Sequence, residues 1–449
     1  MEEVPGSSPG SLTFRGSGFP SRAAAVFAPA PRPAPPRPIG GRYPLDSVVA
    51  PSLPHRRIRM FEAAQEFMLR HAIDAWLVHD FRSSNSVLAA LLPGKRFLTR
   101  RVELLIPARG EPTLLAHHID ASQFASSGVR VEKYLTWQEY RAWMLGVGNG
   151  RTRVAMEYAP GATLPVVGVV DAGTVELVRS AGVEVVSSAD LIQTCVARWS
   201  EAALSRHIKA SQQVNAIKDA AFAHIRQCLA AGTPVNEHQV QQLILQGFAR
   251  EGLETPDGPI VAVNAHAGDP HFEVSPSNPA PIKKNDWVLI DLWARVPGDE
   301  NIFSDITWVG YCGHEIPAKH RAVYAAVTGA RDAALARVQQ AWASKEPVQG
   351  WQVDEASQLV LRGSGFAEFI RHRTGHSLSP GPKVHGVGVN IDNTETHDTR
   401  LVLPGVGFTI EPGLYLPEFG VRSEINVYMD PAKGPVVTSQ IQRDVILMA

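Results

Sequence analysis

The sequence predicts two folded domains of different class: an α/β domain over residues 56–198 and a strand-rich α+β domain over residues 199–449. Three observations carry this expectation. Helix-patterned and strand-patterned segments alternate from Arg59 to Arg198. A long helical stretch then opens at Ser200, and strands dominate most of the remaining chain. Residues 1–55 differ from both, being rich in Pro, Gly, Ser, Ala and Arg, as in Ala28-Pro29-Ala30-Pro31-Arg32-Pro33-Ala34-Pro35-Pro36. Such a composition buries too little apolar surface to offset its ordering entropy, so this arm is expected to be disordered or loosely attached, with Met60 a possible opening of the structured chain. A chain of 449 residues is comfortable for two domains, each with its own core.

In the first domain, Phe61 to His71 has helical spacing and Ala75-Trp76-Leu77-Val78 reads as a buried strand. Val102 to Ile106 and Thr113 to Ala116 flank a Gly-Glu-Pro turn and predict a hairpin. Val154-Ala155-Met156 and Val183 to Val186 add further strands, and no Gly-rich phosphate loop is present. In the second domain Ser200 caps a helix running to Ala231, closed by Gly232-Thr233-Pro234, and a second helix spans about Asn236 to Arg250. Strands are expected at Ile260–Val263, Trp287–Ala294, Ser304–Tyr311, Gly407–Tyr415 and Val421–Met429, with helices from about Pro317 to Gln340 and Val353 to Leu361.

Composition excludes several functions. With 43 basic and 44 acidic residues there is no bulk attraction to nucleic acid or to an anionic membrane. No apolar run approaches the ~18 residues that span a bilayer; the best, Val166 to Val178, is broken by Asp171 and Glu176. Cys195, Cys228 and Cys312 lack finger spacing and fit reduced thiols. The N-terminus, Met1-Glu2-Glu3, lacks the apolar core of a secretory signal, so the expected location is cytoplasmic, with an Arg- and Ser-bearing organelle leader the alternative.

The chemistry concentrates in five residues: Asp291 in Val-Leu-Ile-Asp-Leu-Trp, Asp305 in Phe-Ser-Asp-Ile-Thr-Trp, His376 in Arg-Thr-Gly-His-Ser, Glu411 in Phe-Thr-Ile-Glu-Pro-Gly and Glu424 in Val-Arg-Ser-Glu-Ile-Asn. A carboxylate on a buried strand must be paired or must hold a metal. Only Arg422 interleaves as a cation, so an ion-pair network does not account for four acids. Asp291 and Asp305 can approach through the Arg295–Asn301 turn, and Glu411 and Glu424 through the Pro417–Gly420 turn, with His376 between the two hairpins. Oxygen ligands plus one imidazole suit two cations of Mn(II), Co(II), Fe(II) or Zn(II) type. Each residue singly has a duller reading, a solvated strand-end acid or a core histidine. His372 and His376 are spaced like a helical zinc pair, but Gly375 and the succeeding Ser-Leu-Ser-Pro argue against a helix.

The order Asp, Asp, His, Glu, Glu, with Ser-Asp305-Ile-Thr, Thr-Gly-His376 and Thr-Ile-Glu411-Pro-Gly-Leu-Tyr, resembles the pita-bread (M24-type) metallopeptidases, the family of aminopeptidase P, prolidase and methionine aminopeptidase. The resemblance covers about residues 200–449, and the first domain looks like the creatinase-type N-domain of aminopeptidase P and prolidase. It implies that Asp291 holds one metal, Asp305 and Glu424 bridge two, and His376 and Glu411 complete the second. A metal-bridging water would attack the peptide carbonyl, Glu411 relaying its proton. His271, in Asp-Pro-His-Phe, matches a substrate-side histidine; His385, in Val-His-Gly, matches one that steadies the tetrahedral intermediate; Arg422 matches a brace on the carboxylates. Some positions depart from the family pattern. The Asp291–Asp305 and His376–His385 spacings are wider than usual, the latter by insertion of Pro380-Gly381-Pro382; Trp308 stands where prolidases often carry Arg, and Ile425-Asn426 replaces an acid.

The implied activity is cleavage of the bond between an N-terminal residue and proline, as an Xaa-Pro aminopeptidase or dipeptidase acting on small peptides, with Mn(II) the expected metal and a homodimer the expected assembly. The alternatives are a metal-dependent lyase or hydrolase of a non-peptide small molecule on the same scaffold, or a non-catalytic binding module.

Overall fold

In the first half of the chain, apolar residues that alternate along a central strand feed two separate cores. The computed structural model describes residues 53–449 apart from Lys95, and side chains from Met60 onward. The expected arm of residues 1–55 lies outside the described residues, except that its last three open helix α1 (Leu53–Arg70). Strand β1 (Ala75–Phe81) comes next, then α2 (Ser86–Leu91), β2 (Arg101–Pro107), β3 (Thr113–His117), β4 (Arg130–Tyr134), α3 (Trp137–Gly146), β5 (Arg153–Met156), α4 (Ala172–Arg179), β6 (Glu184–Ser187) and α5 (Ala189–Cys195). They form one six-stranded sheet in the order β4-β3-β2-β1-β5-β6. The expected β2–β3 hairpin is antiparallel with Leu104 opposite Leu114, while β5 and β6 join in parallel. Trp76 and Val78 pack into one core with α1 and α5; Leu77, on the other face, packs with Val154, Met156 and Met144.

The second half opens with α6 (Glu201–Ala231). The Ser200 hydroxyl accepts from the Ala203 N–H at 3.1 Å, and Gly232 ends the helix at φ +66°, a conformation that favours glycine. Helix α7 (Glu237–Glu251) carries a reciprocal cap between Asn236 and Gln239. Strands β7 (Ile260–Val263), β8 (Trp287–Ala294) and β9 (Ser304–Tyr311) are followed by α8 (Ala318–Ser344), α9 (Gly350–Gly363), β10 (Ser377–Leu378), β11 (Gly407–Ile410), β12 (Gly413–Tyr415), β13 (Gly420–Arg422), β14 (Ile425–Asp430), β15 (Gly434–Val437) and β16 (Ile446–Leu447). Two four-stranded sheets result, β16-β9-β8-β7 and β10-β11-β14-β15, with the β12–β13 ribbon beside them. Helix α6 packs its Val214, Phe222 and Ile225 on Val288, Ile290 and Ile306 of the first sheet.

Two expected strands are corrected. Gly407–Tyr415 breaks after Ile410, and Val421–Met429 breaks at Ser423 and Glu424. One register survives the gap, since Ile410 opposes Ile425 and Gly413 opposes Arg422. Glu411 and Glu424 therefore face each other where the ladder is interrupted. Pro412 lacks an N–H to donate, and the Glu411 and Glu424 N–H groups turn away to Thr374 O and Thr307 O. Only Asp291 and Asp305 of the five expected ligands lie within strands.

The halves are joined through Gln193, whose side chain accepts from the Val389 N–H at 2.7 Å and donates to the Leu401 carbonyl. Beneath the β1–α2 loop, Glu157 is fully buried and accepts from Trp76 Nε1 at 2.7 Å, Asn85 Nδ2 at 2.9 Å and Ser188 Oγ at 3.0 Å. Burial outweighs these donors and pushes its carboxyl up to about 7 from 4.5. The folded protein then holds a proton that the unfolded chain has released. Stability from this group is present below pH 4.5 and declines as pH rises to about 7. Unfolding midpoints of wild type and Glu157→Gln across that window should diverge with this slope; a constant difference between them would assign the pH dependence elsewhere.

Candidate metal centre

Antiparallel pairing of β8 with β9 sets Asp291 opposite Thr307 and Trp293 opposite Asp305, so the two acids are diagonal neighbours on one face. Asn426, first interior residue of β14, clasps Asp305 from both sides: its Oδ1 accepts from the Asp305 N–H at 3.1 Å and its Nδ2 donates to the Asp305 carbonyl. The Glu424 N–H donates to Thr307 O at 3.2 Å. These bonds bring the acidic face of β8–β9 against the gap that holds Glu411 and Glu424. His376 enters just before β10, its N–H donating to Thr409 Oγ1 at 2.9 Å. Gly375 is required there, because a Cβ would stand 2.1 Å from the Thr409 carbonyl oxygen.

All five residues expected to hold metal converge. Donor atoms of Asp305, His376 and Glu424 lie within 4.8 Å of one another. His376 Nε2 is 3.4 Å from both Asp305 Oδ2 and Glu411 Oε1, while its Nδ1 faces Ser377 O at 3.1 Å. With the Nδ1–H donating to that carbonyl, Nε2 is the ring atom turned toward the acids, whose charge raises the imidazole's affinity for a proton there. Thr307 Oγ1 donates to Glu424 Oε2 at 2.9 Å, and Thr409 Oγ1 to Glu411 Oε1 at 3.0 Å. Asp291 Oδ1 and Glu424 Oε1 are buried with no hydrogen-bond partner among the described residues. An unpartnered buried carboxylate oxygen is costly, and two of them aimed into one acidic cluster fit a cation. The donor set, four carboxylates and one imidazole, suits hard or borderline divalent ions.

Of the other expected site residues, His271 lies exposed on the cleft wall and His385 stacks on His376 with ring centroids 3.9 Å apart. Arg422 is buried and pairs with Asp291 Oδ2. It also starts a chain that the sequence did not reveal. Its Nη1 donates to Tyr415 Oη at 2.8 Å, the Tyr415 hydroxyl to His372 Nε2 at 2.7 Å, and His372 Nδ1 to Arg373 O at 2.6 Å. Arg422 Nε also donates to Thr307 Oγ1 at 3.0 Å, freeing that hydroxyl's proton for Glu424. The signal for Tyr415 was the Glu-Pro-Gly-Leu-Tyr run, which brings a phenol back opposite Gly420. Trp308, the position that departs from the family, points away from the acids, with Lys218 Nζ 3.2 Å from its ring centroid.

Charge sorts the acids. Burial pushes Asp291 up to about 7, opposed by Arg422 and reinforced by Asp305 and Glu411. Burial likewise raises Asp305 and Glu424. Glu411 resists its own burial because His376, His372 and Arg422 surround it, and it is held at about 2. Its side chain is also the most open of the four carboxylates to the cleft, at 16% exposed. That cleft, about 1340 Å³, is walled by the cluster on one side and by Leu164, Val166 and Val169 of the first half on another.

A mixed α/β N-terminal half followed by paired sheets around an acidic cluster is the creatinase-type plus pita-bread architecture. Residues 209–431, which include all five expected ligands, match the sequence profile of metallopeptidase family M24, so the second half of the chain carries an M24-type domain. A Bacillus subtilis protein named as a putative dipeptidase, YkvY, is 31% identical over 218 residues, 48% of this chain and 54% of its own length, so the match spans about half of that relative. The crystal structure of dipeptidase PepE from Mycobacterium ulcerans superposes with a TM-score of 0.66 at 22% identity, covering 88% of this chain and 98% of that one. The X-prolyl aminopeptidase of Caenorhabditis elegans, described as a cytosolic enzyme with a di-nuclear active site, superposes at 0.62 with 16% identity, covering 87% and 63%. At these identities the structural likenesses establish the fold.

Because Asp291, Asp305 and Glu424 hold protons more tightly than free carboxyls, divalent metal must displace them. Metal affinity should fall as pH drops below about 7, with proton release on binding. Calorimetric titration of metal-stripped protein with Mn(II) in buffers of different ionisation enthalpy checks this; buffer-independent heats would mean no proton is displaced.

Proposed function

We propose that the chain is a dinuclear-metal hydrolase that cleaves the bond between an N-terminal residue and proline in short peptides. The observation that carries the reading is the convergence of Asp291, Asp305, His376, Glu411 and Glu424 with two buried carboxylate oxygens left unpartnered. The names of the relatives, dipeptidase and X-prolyl aminopeptidase, support the substrate class. Divalent cations, when bound, would supply an activated water and polarise the scissile carbonyl.

The chain's own residues supply the rest. Glu411, the most open acid, takes a proton on the cleft side and returns it to the leaving proline nitrogen. Arg422 holds Asp291 at one oxygen and leaves Oδ1 free for a ligand. His385, held low at about 3 by the His376 charge and by burial, stays a neutral donor beside the reacting carbonyl. His271 bounds the substrate side. The same reading takes Mn(II) as the metal, a homodimer as the assembly, the cytoplasm as the location, and residues 56–198 and 199–449 as the domains. Among the described residues no helix is long and apolar enough to cross a membrane.

Metal-stripped protein with added Mn(II) should release the first residue from Xaa-Pro substrates. The panel needs dipeptides and longer peptides, since a cleft of about 1340 Å³ exceeds the ~300–1,000 Å³ typical of small-ligand pockets. Asp305→Ala should lose both metal and turnover; full activity in that variant would sink the two-metal reading. No cleavage by the metal-loaded wild type would move the assignment to a non-peptide substrate. His385→Ala should lower turnover ~10²-fold or more with metal content unchanged, and loss of metal instead would make it a ligand.

A further inference from the structure

The long β8–β9 turn and the Pro380-Gly381-Pro382 segment meet at one buried side chain, Arg295. Its side chain is 5% exposed, and its guanidinium is used on every edge. Nε donates to Glu254 Oε1 at 2.7 Å, Nη2 to Asp299 Oδ1 at 2.9 Å, and Nη1 to Asn301 O at 3.3 Å and to the Gly381 carbonyl. The guanidinium carbon lies 4.4 Å from the Phe303 ring centroid. Gly381 is gripped from its other side as well, its N–H donating to Asp299 O at 2.7 Å. One planar fork thus ties the hairpin turn, the start of the α7–β7 connection and the cleft-lining segment together.

Four residues beyond Gly381 stands His385. The base of this loop is closed by the Gly386 N–H to Ser377 O at 2.7 Å and by the Val387 N–H to Ser379 Oγ at 3.0 Å. Between these ties and Gly381, no hydrogen bond among the described residues holds residues 382–385. The tip is therefore anchored at one residue, Gly381, by the Arg295 guanidinium on its carbonyl and by the Asp299 carbonyl on its N–H, and Arg295 also holds the Asp299 side chain. Pro380 and Pro382 flank Gly381 with fixed φ, so a shift there is passed along the segment and not absorbed locally. The surroundings of Arg295 contain no metal ligand. Its reach into the site runs through the loop that bears His385.

We propose that Arg295 is a positioning residue for His385: its clasp on Gly381 sets how far the second imidazole reaches over His376 into the cleft. This rests on the peptidase reading for its kinetic consequence. A misplacement of ~1 Å in a positioned group costs about 10²-fold in rate. Glu254 and Asp299, at 42% and 73% exposed, regain water when the fork is lost, so the fold should survive the change.

The experiment is a double-mutant cycle on metal-loaded protein with Arg295→Lys, which keeps the charge over Phe303 but cannot reach all four acceptors. Arg295→Lys alone should lower kcat/KM roughly 10- to 100-fold with metal content unchanged. In a His385→Ala background the same change should cost less than about 3-fold, because the residue it positions is gone. Additive losses, or unchanged turnover in Arg295→Lys, would overturn the proposal. Amide hydrogen exchange reads the clasp without any substrate: residues 379–388 should exchange faster in Arg295→Lys, with β8 and β11 unchanged. Equal protection of that loop would also overturn it. If wild type cleaves no peptide, the peptidase reading fails while the exchange result still decides the clasp. Should Arg295→Lys not fold, Gly381→Ala perturbs the other end: its Cβ meets nothing within 4 Å, yet φ +147° disfavours any L side chain, and the same non-additivity is expected.

Discussion

An uncompensated cluster of buried negative charge organises the second half of this protein. Asp291, Asp305, Glu411 and Glu424 share one small volume with a single buried guanidinium, that of Arg422. Four carboxylates against one guanidinium and one imidazole cannot all be ionised in a dry site without further positive charge. The protein answers in two ways. Three of the acids are pushed toward their protonated forms, and two oxygens have no partner among the described residues, a need that a divalent ion would satisfy. Affinity for cations is thus a consequence of burial.

The surrounding sheets are arranged to hold that charge in place. Asn426 spans both backbone groups of Asp305, and the Glu424 N–H crosses to Thr307, so the two sheets are joined at the acids themselves. The interruption between β11 and β12, matched by that between β13 and β14, is what lets Glu411 and Glu424 turn inward without spoiling a ladder. Behind them, the chain Arg422–Tyr415–His372–Arg373 O is satisfied at each step and fixes the tautomer of His372. Such closed networks leave few alternative rotamers for the ligands they support.

The first half contributes a wall and not a ligand. Leu164, Val166 and Val169 face the cleft, and Ser84 of the β1–α2 loop and Ser86 at the start of α2 approach it from the same side. That loop is held down by Asp80, which accepts from the Ser83 and Asn85 N–H groups at 2.8 Å each, and by Asn85 on Glu157. Arg82 and Ser83 sit at φ +61° and +60°, strained positions for side chains that persist because these contacts over-determine the turn. The cleft accordingly has a charged floor and an apolar far wall.

Local pattern was enough to locate most elements and every member of the acidic cluster. Short apolar runs locate β8 and β9 at Trp287–Ala294 and Ser304–Tyr311, and Ser200 and Gly232 mark the ends of α6, because run composition and capping are properties of neighbouring residues. Charges embedded in apolar runs pointed to the members of the cluster for the same reason: their cost is local. Tertiary structure decided what depends on residues distant in the chain. The broken strands at Glu411 and Glu424 read as continuous, since the bonds that interrupt them go to Thr374 and Thr307. Tyr415, His372 and Asn426 acquire their roles only when partners far along the chain, or across a sheet junction, are brought within hydrogen-bonding reach. The junction of the β8–β9 turn with the Pro380–Pro382 segment was invisible for the same physical reason: sequence states what each insertion contains, and only packing states that Arg295 lies between them.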